Sequence, residues 1–306
     1  MPPSIESTNG VYLTAVFLQA ILQGMGLLQG FLFFVWYHHD SWSVKGTVIT
    51  VLVLECIQMG AAFGNIYVWF VTGFGDFDNL NTIHRVDMVE LLAMYLSIFV
   101  AQVHFARCIY QFNKQHKILP AVILLFSLAS LGCGFGQVVL SIRLKQYSAL
   151  GKLNVTDNLQ ASFALAADVL ITVGLTWRLS QHRGGIQSTN KILNFVIMTA
   201  INRGVCTTIF AALNMILFLT QPGTFYFMIA ILLSDKFYMN SMLAMLNTRE
   251  YAVQLQGRTI VEQISMPVFK SSMGGGTQNT VTVTTVNEVH RDDEMLDSGK
   301  IQLQMD

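Results

Sequence analysis

Five ionisable side chains sit inside long apolar runs, away from the ends: Glu55, Asp168, Arg203, Asp235 and Lys236. A charge at the centre of a membrane helix costs about 2.5–3.5 kcal/mol on insertion scales, so five unpaired charges would cost roughly 12–17 kcal/mol. They must therefore face a bundle interior, pair with one another, or be partly neutral. Lys236 stands about 15 Å along a helix from Leu246, where its run ends, too far to snorkel to water. Asp235 and Lys236 are adjacent, about 100° apart around a helix, so each is expected to find a partner on another helix. The spacing predicts Arg203 between Asp168 and Asp235, and Lys236 turned towards Glu55. Three acids then face two bases, and the surplus carboxyl is the expected proton-sensitive position.

Polar residues line up with these charges. Lys236, Asn240 and Asn247 share one stripe of their helix, and Asp235 and Tyr238 share another. Arg203, Thr207 and Asn214 align, as do Glu55, Gln58 and Asn65. Glu55, Asp168, Arg203, Asp235, Lys236, Tyr238 and Asn240 thus form the candidate intramembrane site. Three chemistries fit it: a hydrogen-bond lattice that holds the bundle, a ligand or ion pocket, or a lysine carrying a covalent cofactor. No cofactor is expected.

Catalytic signatures are not found. The chain has no His-rich metal set, no Gly-x-Ser-x-Gly and no Asp pair suited to proteolysis, so neither an enzyme nor a metal site is expected. The four cysteines (Cys56, Cys108, Cys133, Cys206) fall inside apolar segments, which points to packing and not to a disulfide framework. The stretch 73–88 is rich in Asp and Asn but lacks EF-hand spacing. It is expected to be a solvated cap, with a ligand lid as the alternative.

The elements that must position these residues follow from composition. Of 306 residues, 53% are hydrophobic and only 12% charged, about half the charged share of a soluble domain. Zero formal net charge gives no field that would draw nucleic acid. Seven apolar segments are long enough to cross about 30 Å of hydrocarbon as helices: 11–37, 46–72, 89–110, 118–142, 159–179, 192–219 and 224–246. Lipid cannot satisfy backbone groups, so helix is the only open choice. The fold class is all-α, a polytopic seven-transmembrane-helix bundle spanning 11–249. Residues 1–10 lack the basic start of a secretory signal and read as an extracytoplasmic N-terminus.

Orientation comes from Lys and Arg near span ends. With the N-terminus outside, nine such residues lie on the inner side and four (Arg85, Arg143, Lys145, Lys152) on the outer. Asn154-Val155-Thr156, a possible glycosylation site, then falls outside. Residues 250–306 read as a cytosolic, mostly disordered tail, with a short surface helix over 251–266 interrupted at Gly257. The pairs Gly26/Gly30, Gly60/Gly64 and Gly132/Gly136 are expected to let helices approach within the chain's own bundle.

The last three spans carry a polar opening at Gln187-Ser188-Thr189-Asn190 and a Thr220-Gln221-Pro222 turn. They close on Tyr238-Met239-Asn240-Ser241, followed by Leu246-Asn247-Thr248-Arg249. With Asp168, these features, over about 165–250, resemble an uncharacterised family of seven-span integral membrane proteins of basidiomycete fungi. The family shares a domain of unknown function over its last three spans. The resemblance implies a fold and a membrane location and supplies no activity.

Two other seven-span classes fit poorly. Span three ends Ala106-Arg107-Cys108 and not Asp-Arg-Tyr, unlike rhodopsin-like G-protein-coupled receptors. Residue 232 is Leu where microbial rhodopsins place an Asp four positions before their lysine.

The leading functional expectation is a receptor-like or sensor membrane protein with a polar intramembrane core. A small-solute or proton transporter is the alternative, and a structural scaffold recruiting partners through its tail is the second alternative. Expected partners are the lipid bilayer, a small-molecule ligand and a cytosolic partner of the tail. The sequence does not separate plasma membrane from endomembranes.

Overall fold

The computed structural model describes residues 4–38, 40–112, 117–181, 187–221 and 223–264. The tail beyond, with the disorder and partner expected of it, lies outside the described residues. Among the described residues, seven helices are long and apolar enough to cross a membrane. We label them α1 (Val11–Trp36), α2 (Trp42–Tyr67), α3 (Arg85–Phe112), α4 (Ile118–Leu144), α5 (Asn154–Gln181), α6 (Gln187–Thr220) and α7 (Tyr226–Ile264). Pro120 falls in the first turn of α4, where a missing N–H breaks no helical bond.

The helices expose their apolar side chains and bury their polar ones. Phe17, Phe31, Leu125 and Ile118 are each more than 60% exposed, whereas Glu55, Gln58, Asp235 and Lys236 are fully buried. Such a surface is soluble only in lipid, and the chain is an integral multi-pass membrane protein.

Hydropathy locates the lipid boundary and not the last backbone hydrogen bond, so most helices outrun their apolar segments. α5 begins at Asn154 where 159 was expected, and α3 begins at Arg85 where 89 was expected. The cap expected over 73–88 therefore ends four residues early, and Asp87 is buried inside the bundle. The break expected at Gly257 does not form: α7 continues through it to Ile264. One glycine costs a helix only about 1 kcal/mol.

One end of the bundle is closed by interlocked loops. Asp76 caps the single helical turn Phe77–Leu80 by accepting from the Asp78 and Asn79 amides. Lys145 ends α4 in the left-handed region at φ 59°. Its carbonyl accepts from the Ile83 amide at 3.0 Å, and the Tyr147 amide donates to the Asn81 carbonyl at 2.9 Å. The Phe225 amide donates to the Ser7 carbonyl at 3.0 Å, tying the N-terminal segment to the start of α7. Under this cap the rings of Tyr12, Trp69, Tyr147 and Phe225 pack in sequence by edge-on and tilted contacts, with centroids 5.0–5.6 Å apart.

The opposite half is packed with apolar side chains, among them Phe33, Phe105, Ile171, Leu175, Met242 and Leu243. Glycines serve close packing unevenly. A Cβ at Gly26 would strike Met239, and one at Gly30 would strike Leu52, so that pair packs within the bundle as expected. Gly60 and Gly132 have nothing within 4 Å of a Cβ and face outward instead.

Candidate functional site

α7 supplies the centre of the site. Its position in mid-bundle brings Lys236 against α2, where the ammonium donates to Glu55 Oε2 and, at 2.6 Å, to Gln58 Oε1. The other Glu55 oxygen accepts from Ser97 Oγ of α3 at 2.5 Å. All three ionisable groups here, Glu55, Asp235 and Lys236, are 0% exposed. Asp235 stands 3.9 Å from the Lys236 ammonium, and neither of its carboxyl oxygens has a hydrogen-bond partner.

A second group sits on another face of α7. Asp168 of α5 accepts from the Tyr238 hydroxyl and, at 3.3 Å, from Gln102 Nε2 of α3. Arg203 of α6 lies 3.7 Å from Asp168, with its guanidinium 4.2 Å from the Phe105 ring centroid. This contact is electrostatic and cation–π in kind, because no Arg203 nitrogen makes a hydrogen bond. Asn240 donates to the Leu22 carbonyl of α1 and the Lys236 carbonyl, at 3.1 and 2.8 Å.

The pairings of Lys236 with Glu55 and of Arg203 with Asp168 follow the sequence spacing. The expected bridge from Arg203 to Asp235 does not form. Asp235 is carried towards Glu55, and the long Lys236 side chain folds back within reach of it. The first side-chain atom of Asn154 and all beyond it lie outside the described residues, although its backbone opens α5 at the capped end.

A third group escaped the sequence reading. Near the capped end, Tyr12 donates to Glu90 Oε2 at 2.5 Å, and Asn65 donates to Asp87 Oδ1. The His84 amide donates to the other Asp87 oxygen at 2.6 Å. Gln137 accepts from Tyr95 at 2.5 Å and donates to Asp157 at 3.2 Å. Tyr147 is half-buried overall. Desolvation of its phenol and, second, the adjacent Asp87 hold its pKa well above the ordinary range, so it stays a neutral donor or acceptor. The signal was present: Asp87 and Glu90 are three apart at the opening of an apolar run, hence on one helix face.

Three cavities lie among these groups. An outer cavity of about 640 Å³ lies among the capping loops, lined by Asn9, Asn81, Ser148 and Thr224. A middle cavity of about 120 Å³ adjoins it through Tyr147, Leu150, Phe218 and Phe227, and carries Asp87, Glu90 and Asp157. An inner cavity of about 100 Å³ shares Leu91, Met94, Gln137 and Ile231 with the middle one and reaches Asp168, Thr207, Asn214 and Tyr238. Below it the apolar half of the bundle begins. Five of the predicted site residues, Glu55, Arg203, Asp235, Lys236 and Asn240, line none of the three cavities.

No curated protein and no solved structure matches the chain. Residues 164–251 match the model of a family of unknown function, DUF6534. That stretch holds Asp168, Arg203, Asp235, Lys236, Tyr238 and Asn240, whereas Glu55 and the carboxyls of the capped end lie outside it. What the match establishes is that the last three spanning helices are similar to a domain whose function is unknown.

Proposed function

We propose that the chain is a receptor-like seven-helix sensor that admits a small ligand at its N-terminal end and reads it through α7. The observation that carries this reading is the run of three cavities from the capping loops to Tyr238 and Asp168, closed beneath by apolar packing. Tyr238 forms part of the inner wall, and Lys236, two residues before it, holds Glu55 on α2. A ligand that displaces Tyr238 therefore loads the ion pair as well. The reading assigns no catalysis and no cofactor.

The N-terminal end is taken as extracytoplasmic, on the Lys and Arg bias and on Asn154 at that end. A fungal source rests on the resemblance carried by Asp168, the 187–190 opening, the 220–222 turn and the closing motif of α7. The transporter alternative draws on the charges buried at mid-bundle, and the scaffold alternative on the tail.

The test is thermal stabilisation of the full chain in nanodiscs by a panel of water-soluble small molecules, wild type against Ile231→Trp. The tryptophan fills the join between middle and inner cavities. A compound that stabilises wild type and not the variant supports the reading. Stabilisation unaffected by Ile231→Trp removes it, and accumulation of the compound inside proteoliposomes replaces it with transport.

A further inference from the structure

We infer that the middle cavity is a site for an organic cation, a protonated amine on a small apolar body. The inference rests on the reading that a ligand is admitted from the capped end, and it adds the charge of that ligand. Asp87, Glu90 and Asp157 stand in the cavity wall, and among the described residues that line it none is Lys, Arg or His. Acidic residues together do not make a site, because carboxyls can satisfy one another's surroundings. Two of these three are engaged: Asp87 by Asn65 and the His84 amide, and Asp157 by Gln137.

Glu90 is different. It is 6% exposed, and Oε2 takes the Tyr12 hydroxyl, but Oε1 is buried with no donor on it. A buried carboxyl oxygen without a partner is costly, and a ligand N–H that reaches it removes that cost. The donor cannot be Lys236, whose ammonium is taken by Glu55 and Gln58.

The rest of the wall selects the body of the ligand. Leu91, Met94 and Ile231 are apolar, and the Phe218 and Phe227 rings meet edge to face at 5.0 Å. Aromatic rings and carboxyl groups around an apolar space suit an ammonium group carried on carbon. An anion would meet three carboxyls and, among the described residues, no counter-charge.

The experiment uses the full chain in nanodiscs, with Cys56, Cys108, Cys133 and Cys206 replaced by Ala and Ser141→Cys placed in the cavity wall. Trimethylammonium-ethyl and sulfonatoethyl methanethiosulfonate, which are close in size and opposite in charge, compete for that one thiol. Each forms a mixed disulfide with the thiolate and releases methanesulfinate. Because both meet the same thiolate, the ratio of their rates reports cavity charge and not thiol reactivity.

The cationic reagent is expected to react at least about tenfold faster than the anionic one, relative to their rates with a free thiol in solution. Glu90→Gln should reduce that ratio at least about threefold, and Asp157→Asn provides a second reduction should Glu90→Gln not fold. A normalised ratio near one overturns the cation site and leaves ligand admission standing. No reaction with either reagent, when the detergent-unfolded chain reacts with both, overturns admission from the capped end and the cation site with it.

Discussion

Lys236→Met tests whether the central charges are bound together as the geometry requires. The ammonium touches Glu55 and Gln58 and stands 3.9 Å from Asp235, so its loss strands two carboxyls at once. Breaking a buried pair by removing one partner costs about 3–5 kcal/mol. At about 2–4 °C per kcal/mol, thermal unfolding of the detergent-purified chain should fall by roughly 6–20 °C. Glu55→Gln is milder. It keeps one acceptor oxygen for Lys236, with the amide NH2 free to donate to Ser97 Oγ, and leaves Lys236 with Asp235 at a separation where unit charges attract by about 4 kcal/mol at an effective dielectric of 20. Its expected cost is about 1.5–3 kcal/mol, that of a charged hydrogen bond. The double variant decides the matter. With Lys236 already absent, removing the Glu55 charge should cost nothing or restore stability. If the two losses instead add within about 0.5 kcal/mol, the residues are not coupled and the reasoning fails.

Glycine packing gives a paired prediction on one helix. Gly134→Ala would place its Cβ 2.6 Å from Cδ2 of the Tyr95 ring, which Gln137 holds in place, and should destabilise by about 1–3 kcal/mol. Gly132→Ala meets nothing within 4 Å and should be neutral or stabilising by up to about 1 kcal/mol through helix propensity. Thermal unfolding of the two variants should separate them, and equal losses would remove the packing argument. On orientation, Asn154→Gln expressed in eukaryotic cells should abolish a glycosidase-sensitive gel shift. A wild-type chain that shows no shift, with its C-terminus labelled only from outside intact cells, would invert the proposed topology.

The seven helices were legible because lipid enforces one rule: apolar runs of sufficient length become helices. The Lys236–Glu55 and Arg203–Asp168 pairings were legible because a membrane interior leaves so few counter-charges that matching them by depth is nearly decisive. Asp235 was not legible in the same way. Its neighbour Lys236 has a long enough side chain to fold back past the helical offset that should part them, and only coordinates show this. Asp87, Glu90 and Asp157 were overlooked for a related reason. They lie within a turn or so of span ends, where sequence reading assigns charges to water, whereas the capping loops and the Tyr12–Trp69–Tyr147–Phe225 rings enclose two of them. The cap itself depends on hydrogen bonds between loops more than sixty residues apart, such as Tyr147 to Asn81, which no local pattern encodes.

The placement of the two ion-pair groups bears on the proposed sensor reading as against a passive lattice. Lys236 and Tyr238 are two residues apart, about 200° around α7, so the helix holds α2 with one face and α5 with nearly the opposite one. A lattice that merely fixed the bundle could satisfy its polar groups, yet both Asp235 oxygens and every Arg203 nitrogen are without hydrogen bonds. Orphaned groups at the junction between two pairs are what a second arrangement could satisfy, at little cost in the contacts already made. α7 also runs unbroken from Tyr238 to Ile264, so a rotation at Tyr238 is carried along one continuous helix without a hinge to absorb it. On the proposed reading, the ligand supplies the differential contact at the inner wall, and the unsatisfied charges supply the alternative partners that make a second state accessible.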